Sequence, residues 1–169
     1  MDSATGVYNK QTTEDMINAF LNGEGKYGRH AMLMIDIDDF KGINDDHGHR
    51  IGDMVISALG TELNQIFRAS DIKGRIGGDE FMILMKDIEG MDLIISKAKA
   101  ICHIFKNREL DENRKVDVSA SIGIAIYDKD GSTYGELYEA ADRALYNCKS
   151  YQKGTFAFCT EAEMKISDR

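Results

Sequence analysis

The sequence predicts an α+β fold in which a central, mostly antiparallel sheet is covered by helices. Two observations lead there. Amphipathic helical stripes alternate with short apolar runs in the order helix, strand, helix, hairpin, helix, strand, helix. One of those runs, residues 31–37, is apolar at nearly every position, so a strand there needs cover on both faces.

Each element has its own signal. Met16, Ile17, Phe20 and Leu21 repeat at helical spacing behind Thr12 or Thr13, which predicts a first helix over 13–22. Residues 31–37 form the buried strand. A helix over 50–68 follows, with Ile51, Val55, Ala58, Leu59, Leu63 and Ile66 on one stripe. Residues 72–76 and 81–86 read as two strands, and Gly77-Gly78 between them predicts a hairpin because both glycines tolerate positive φ. Met91, Ile94, Ile95, Ala98, Ile101, Cys102 and Phe105 mark the next helix. Alternation over 116–127 predicts a long strand, and Asp128-Lys129-Asp130-Gly131 ends it as a turn. A last helix spans 133–149, with a short strand at 155–159 to close the sheet.

The 169 residues suffice for one domain, placed at 1–160, followed by a polar tail at 161–169. No apolar run is long enough for a membrane span, and the N-terminus shows no export signal, so the domain is expected in the cytoplasm, without membrane contact, either alone or as part of a longer sensor. A net charge of -8 argues against nucleic acid as a partner. Cys102, Cys148 and Cys159 are odd in number and far apart, unlike a disulfide framework or a zinc site. The methionines, Met32, Met34, Met54, Met82 and Met85 among them, read as core filler.

Chemistry concentrates at two strand ends. Asp36-Ile37-Asp38-Asp39-Phe40 places three carboxylates in four residues at the end of an apolar strand, an arrangement that needs water or a cation. Asp36 and Asp38 share a strand face, and oxygen donors without nearby cysteine suit magnesium, or manganese, better than zinc. A solvated strand end explains the same residues locally. Gly77-Gly78-Asp79-Glu80-Phe81 sets two more acids on a glycine turn whose bare backbone lets a phosphate-bearing ligand approach. An ordinary glycine hairpin with exposed acids reads the same way. Two acid clusters at neighbouring strand ends favour a shared metal site. His47 and His49 fit a His-Gly-His turn better than a second site.

Gly77-Gly78-Asp79-Glu80-Phe81 is the signature for which GGDEF domains are named, and other motifs of that family are matched in order along the chain. Asp2, Thr5, Gly6 and Asn9 resemble its opening motif. Asp36 to Lys41, Asn44-Asp45, Gly48-His49 and Gly52-Asp53 resemble its central one. Ser121 to Ala125 and Ala141 to Tyr146 resemble its last two. The sequence is thus similar to diguanylate cyclase catalytic domains.

The resemblance implies a fold like the palm of nucleotide cyclases and polymerases, and condensation of two GTP into cyclic di-GMP by a transient homodimer. It implies magnesium held by Asp36, the Ile37 carbonyl and Asp79, with Glu80 helping to activate the attacking hydroxyl or its metal. Asn44 and Asp53 would read guanine. Lys41, Lys149 and Lys153, with backbone N–H groups of Asp39 and Phe40, would hold phosphates beside Gly77 and Gly78. Arg68 and Asp71, six residues before Gly77, resemble an inhibitory site for cyclic di-GMP, to which Lys99 would add charge. Ala4 replaces the family's usual Leu, and Lys153 its common Arg, losing the planar fork. A domain that binds GTP or cyclic di-GMP without turnover is the competing reading; the intact Asp36, Asp79, Glu80, Asn44 and Asp53 count against it.

Overall fold

The computed structural model describes residues 1–106 and 116–159. The expected tail at 161–169 lies outside them. In chain order the elements are α1 (Lys10–Asn22), β1 (Ala31–Ile37), α2 (Phe40–His47), α3 (His49–Ile66), β2 (Ile72–Arg75), β3 (Glu80–Met85), α4 (Met91–His103), β4 (Ala120–Ile126), α5 (Tyr134–Tyr151) and β5 (Phe156–Phe158). The strands form one sheet in the order β2-β3-β1-β4-β5. Among the described residues, the named strands pair antiparallel except β4 and β5, which are parallel. The α+β class with a mostly antiparallel, helix-covered sheet is therefore the one observed.

Strand β1 is central, and its near-continuous apolar run reflects cover on both faces. Leu33, Ile35 and Ile37 point into one core with residues of α3 and α4, including Val55, Leu59, Ile94 and Ala98. Met32 and Met34 point the other way, toward α1 and α5, where they meet Ile17, Leu137 and Ala141. Period-two alternation thus serves two apolar layers. Met32, Met34, Met82 and Met85 fill these layers, but Met54 is 36% exposed on α3 and is not core filler.

Four sequence expectations need correction. Helix α1 begins earlier than 13, because the Asn9 side chain, not Thr12 or Thr13, caps it by accepting from the Thr12 N–H. An unforeseen short helix, α2, follows β1 directly; Asp39 turns the chain through a left-handed conformation at φ 50. With only Ile43 buried, α2 carries too little apolar stripe to announce itself. Strand β4 spans 120–126 and residues 116–119 approach it as irregular chain, although Val116 and Val118 are buried. Gly77 and Gly78 do not adopt positive φ.

Glycine has a steric role where α5 crosses β4. A Cβ on Gly123 would fall 2.0 Å from the Ala141 carbonyl oxygen and 2.4 Å from the Leu145 nitrogen, both backbone atoms that cannot move aside alone. Gly123→Ala should therefore lower the unfolding free energy by about 3 kcal/mol. Urea denaturation checks this; an unchanged midpoint would show that α5 can shift off the sheet freely.

Candidate active site

The two acid clusters meet because β1 and β3 are neighbours running in opposite directions. Their register sets Asp36 opposite Glu80 on one side, while β4 sets Ser121 opposite Asp36 on the other. Beyond the strand, the Ile37 N–H donates to the Asp79 carbonyl at 3.2 Å, tying the end of β1 to the glycine turn. The turn itself is closed by the Ile76 and Gly77 N–H groups, both donating to the Glu80 carbonyl. A Cβ on Gly77 would lie 2.6 Å from Glu80 Oε2, so a side chain there would push the Glu80 carboxylate aside. Nothing lies within 4 Å of the Cβ position of Gly78, so the backbone is open to a ligand there.

Asp36 is the electrostatic centre. One carboxylate oxygen, Oδ2, accepts from Lys149 Nζ at 2.8 Å, while Oδ1 is buried and has no partner. Burial raises its pKa to about 6; Lys149 opposes the shift and the nearby Asp79 carboxylate adds to it. Asp38, by contrast, is fully committed to the fold. Its carboxylate accepts from the Ser119 and Ser121 hydroxyls, each at 2.6 Å, and from the Gly154 N–H at 2.9 Å.

Among the described residues, no three His, Cys, Asp or Glu side chains converge to enclose a cation. Two do approach each other, Asp36 and Asp79, and Asp36 Oδ1 is a hard donor without a hydrogen-bond partner. An all-oxygen set with one or two carboxylates fits magnesium or manganese, which complete their shells with water and substrate phosphate.

The segment after β1 builds a second corner. Left-handed Asp39 starts α2, so the Phe40 and Lys41 N–H groups open a helix N-terminus without helical acceptors. Gly48, at φ 86, ends α2 and starts α3. Asn44 then lies against Gly52, where a Cβ would be 2.0 Å from Asn44 Oδ1; that oxygen is buried without a partner. Asp53, next in α3, is exposed. His47 is half-buried with Nδ1 unpartnered, and His49 is exposed. A recess of 650 Å³ lined by Tyr27, Arg29, Ile88, Met91 and Tyr127 shares no residue with this site.

A family model described as "Diguanylate cyclase, GGDEF domain" matches residues 1–155. The chain belongs to the GGDEF family. It is 36% identical over 149 residues to the probable diguanylate cyclase DgcC of Escherichia coli, covering 88% of this chain and 40% of that protein. It is 32% identical over 158 residues to the bifunctional diguanylate cyclase/cyclic di-GMP phosphodiesterase MucR of Pseudomonas aeruginosa, covering 93% and 23%. The chain thus spans less than half the length of both relatives. The solved GGDEF domain of TpbB (YfiN) from Pseudomonas aeruginosa superposes with a TM-score of 0.87 at 30% identity, covering 94% of each chain. The GGDEF domain of DgcB from Caulobacter crescentus, solved with c-di-GMP, shares the fold at 22% identity, with a TM-score of 0.86 over 95% and 93% of the two chains.

Within this GGDEF domain the remaining sequence-named residues are spread out. Lys41 and Lys153 are exposed, the latter on the turn after α5 beside Gly154. Arg68 is exposed, but Asp71 is 5% exposed and points inward: its two oxygens accept from the Arg68 and Lys86 N–H groups, at 3.0 Å each. Lys73 Nζ donates to the Arg68 carbonyl across the same turn. Lys99 is exposed on α4.

Two supports were missed in the sequence. Ser119 and Ser121 alternate on one face, a signal for a shared carboxylate, but only the pairing of β4 with β1 names Asp38 as that group. Arg75 clamps the glycine turn: Nε and Nη2 donate to the Gly78 carbonyl at 3.2 and 2.8 Å, and Nη1 reaches Asp2 at 3.4 Å. Burial works against the charge on Asp2, but the Thr5 hydroxyl and Arg75 more than offset it and lower its pKa. Burial pushes the Cys102 thiol up to about 12, which suits an unreactive core position.

Asp38→Ala should lower the unfolding free energy by about 2 kcal/mol, because it takes the acceptor from two serine hydroxyls in a part-buried site and leaves the Gly154 N–H with Ser121 Oγ alone. Chemical denaturation of the variant measures it. Wild-type stability would mean that water replaces the carboxylate at no cost.

Proposed function

We propose that this domain is a diguanylate cyclase, joining two GTP into cyclic di-GMP and two pyrophosphates. The observation that carries the reading is the convergence of Asp36, with its unpartnered buried oxygen, on Asp79 and Glu80, fixed by the bond from the Ile37 N–H to the Asp79 carbonyl. A domain retired to binding has no evident use for a buried carboxylate oxygen without a hydrogen-bond partner there.

In this reading Asp36, the Ile37 carbonyl and Asp79 hold magnesium, or manganese. When bound, the cation lowers the pKa of the attacking hydroxyl and neutralises charge on the phosphoryl oxygens. Glu80, across the register from Asp36, accepts the proton of the 3'-hydroxyl of one GTP. That oxygen forms the new bond to the α-phosphorus of the second GTP as pyrophosphate departs with the electrons of the broken bond, and the same step in the opposite direction closes the ring and releases the second pyrophosphate. Lys41, Lys149, Lys153 and the N–H groups of Asp39 and Phe40 hold phosphates beside Gly77 and Gly78. Asn44 and Asp53 read guanine, Asp53 by accepting from N1–H and N2–H, which adenine cannot offer together.

One nucleotide site per domain and a product with two-fold symmetry imply that two domains meet face to face, transiently. GTP as substrate places the domain in the cytoplasm. Cyclic di-GMP also acts as inhibitor at a second site, where Arg68 forks onto guanine or phosphate and Lys99 adds charge. Asp71, whose oxygens are held by main-chain donors, chiefly shapes that turn.

Incubation with magnesium and GTP, followed by mass detection, should give cyclic di-GMP, with ATP at least about a hundredfold poorer. Asp79→Ala should lower the rate at least about a hundredfold while leaving the fold intact. GTP binding without product would establish the binding-module reading instead. In a second assay, cyclic di-GMP is titrated against initial rate for the wild type and Arg68→Ala. The variant should need about tenfold more product for half-inhibition; superimposable curves would leave Arg68 a surface residue.

A further inference from the structure

Lys149, unlike the exposed Lys41 and Lys153, rests against two carboxylates. Its ammonium lies 2.8 Å from Asp36 Oδ2 and 4.0 Å from Asp38 Oδ1. The groups are sheltered: side-chain exposure is 28% for Lys149, 17% for Asp36 and 4% for Asp38. Asp38 is held still by three hydrogen bonds, so the pair of carboxylates forms a fixed seat for one positive charge.

Resting on the catalytic reading above, we propose that Lys149 is an internal counter-cation, standing in for the divalent ion at Asp36 until nucleotide arrives. Buried carboxylates left without a cation are costly, and the lysine removes that cost in the empty domain. A divalent ion on either oxygen of Asp36 would sit within a few ångströms of the ammonium and be repelled by it. The metal alone is therefore bound weakly. A triphosphate offers Lys149 a better partner, and its departure opens Asp36 to the ion. Lysine suits this exchange because a single flexible stem can swing its charge between two acceptors. The consequence is that metal and nucleotide enter together, and that the domain does not hold a divalent ion idle.

The test is binding of Mn²⁺ alone, in the absence of nucleotide, followed by the loss of the free-ion electron paramagnetic resonance signal. Lys149→Met should bind Mn²⁺ at least about tenfold more tightly than the wild type, Lys149→Arg should match the wild type, and adding Asp36→Asn to Lys149→Met should abolish the gain. Equal or weaker binding by Lys149→Met overturns the proposal and leaves the catalytic reading standing. Failure of every form, the wild type with GTP included, to bind Mn²⁺ would remove the metal assignment itself, and this inference with it. Should Lys149→Met fail to fold, the wild type provides a second measurement. Amine acetylation mapped by mass spectrometry should find Lys149 protected in chelator, relative to exposed Lys41 and Lys153, and released in saturating Mn²⁺. Unchanged labelling of Lys149 overturns the proposal equally.

Discussion

The antiparallel pairing of β1 with β3 is the constraint on which the rest depends. It sets Asp36 opposite Glu80, and the main-chain bond from Ile37 to Asp79 carries that alignment past the end of the ladder. Side chains alternate along a strand, so a slip of one residue would turn Asp36 into the core and Ile37 out. The two apolar layers forbid it. Leu33, Ile35 and Ile37 on one face and Met32 and Met34 on the other are all buried, and a slip would force each set to repack in the layer shaped for the other while carrying Asp36 into the α3 and α4 core.

Around that alignment the fold spends side chains on holding acids in place. Asp38 shares β1 with Asp36 yet takes a different part, because β4 brings Ser119 and Ser121 to it and the turn after α5 brings Gly154. Asp36 keeps one oxygen unpartnered in the same neighbourhood. The same residue type at i and i+2 is thus saturated with hydrogen bonds in one case and left with an unpartnered oxygen in the other. Arg75 acts at the opposite edge, joining the Gly78 carbonyl to Asp2 and so linking the N-terminal segment to the glycine turn.

Much of this was legible in the chain. The β1 run, the stripes of α3, α4 and α5, and the ordered family motifs all follow from local patterns of period two or 3.6 and from residue types with few other uses. What was not legible shares a cause. Helix α2 has one buried residue and begins at left-handed Asp39, so no stripe announces it. The signature glycines looked like positive-φ turn residues, but neither adopts one; Gly77 instead leaves room for the Glu80 carboxylate and Gly78 faces open space. That Asp71 also accepts from main-chain donors on two segments, one of them fifteen residues away, has no local signal either.

By itself, then, the sequence determined the sheet class, the two acid clusters and the family, because each rests on patterns within a short stretch of chain. Tertiary structure alone decided which carboxylate stays unsatisfied. Asp36, Asp38 and Asp39 are equivalent as letters, and they diverge only once β4, α5 and the glycine turn surround them. Lys149 lies 113 residues from Asp36, and Ser121 lies 83 from Asp38. No local rule spans such separations; burial and the pairing of distant strands assign each charge its partner.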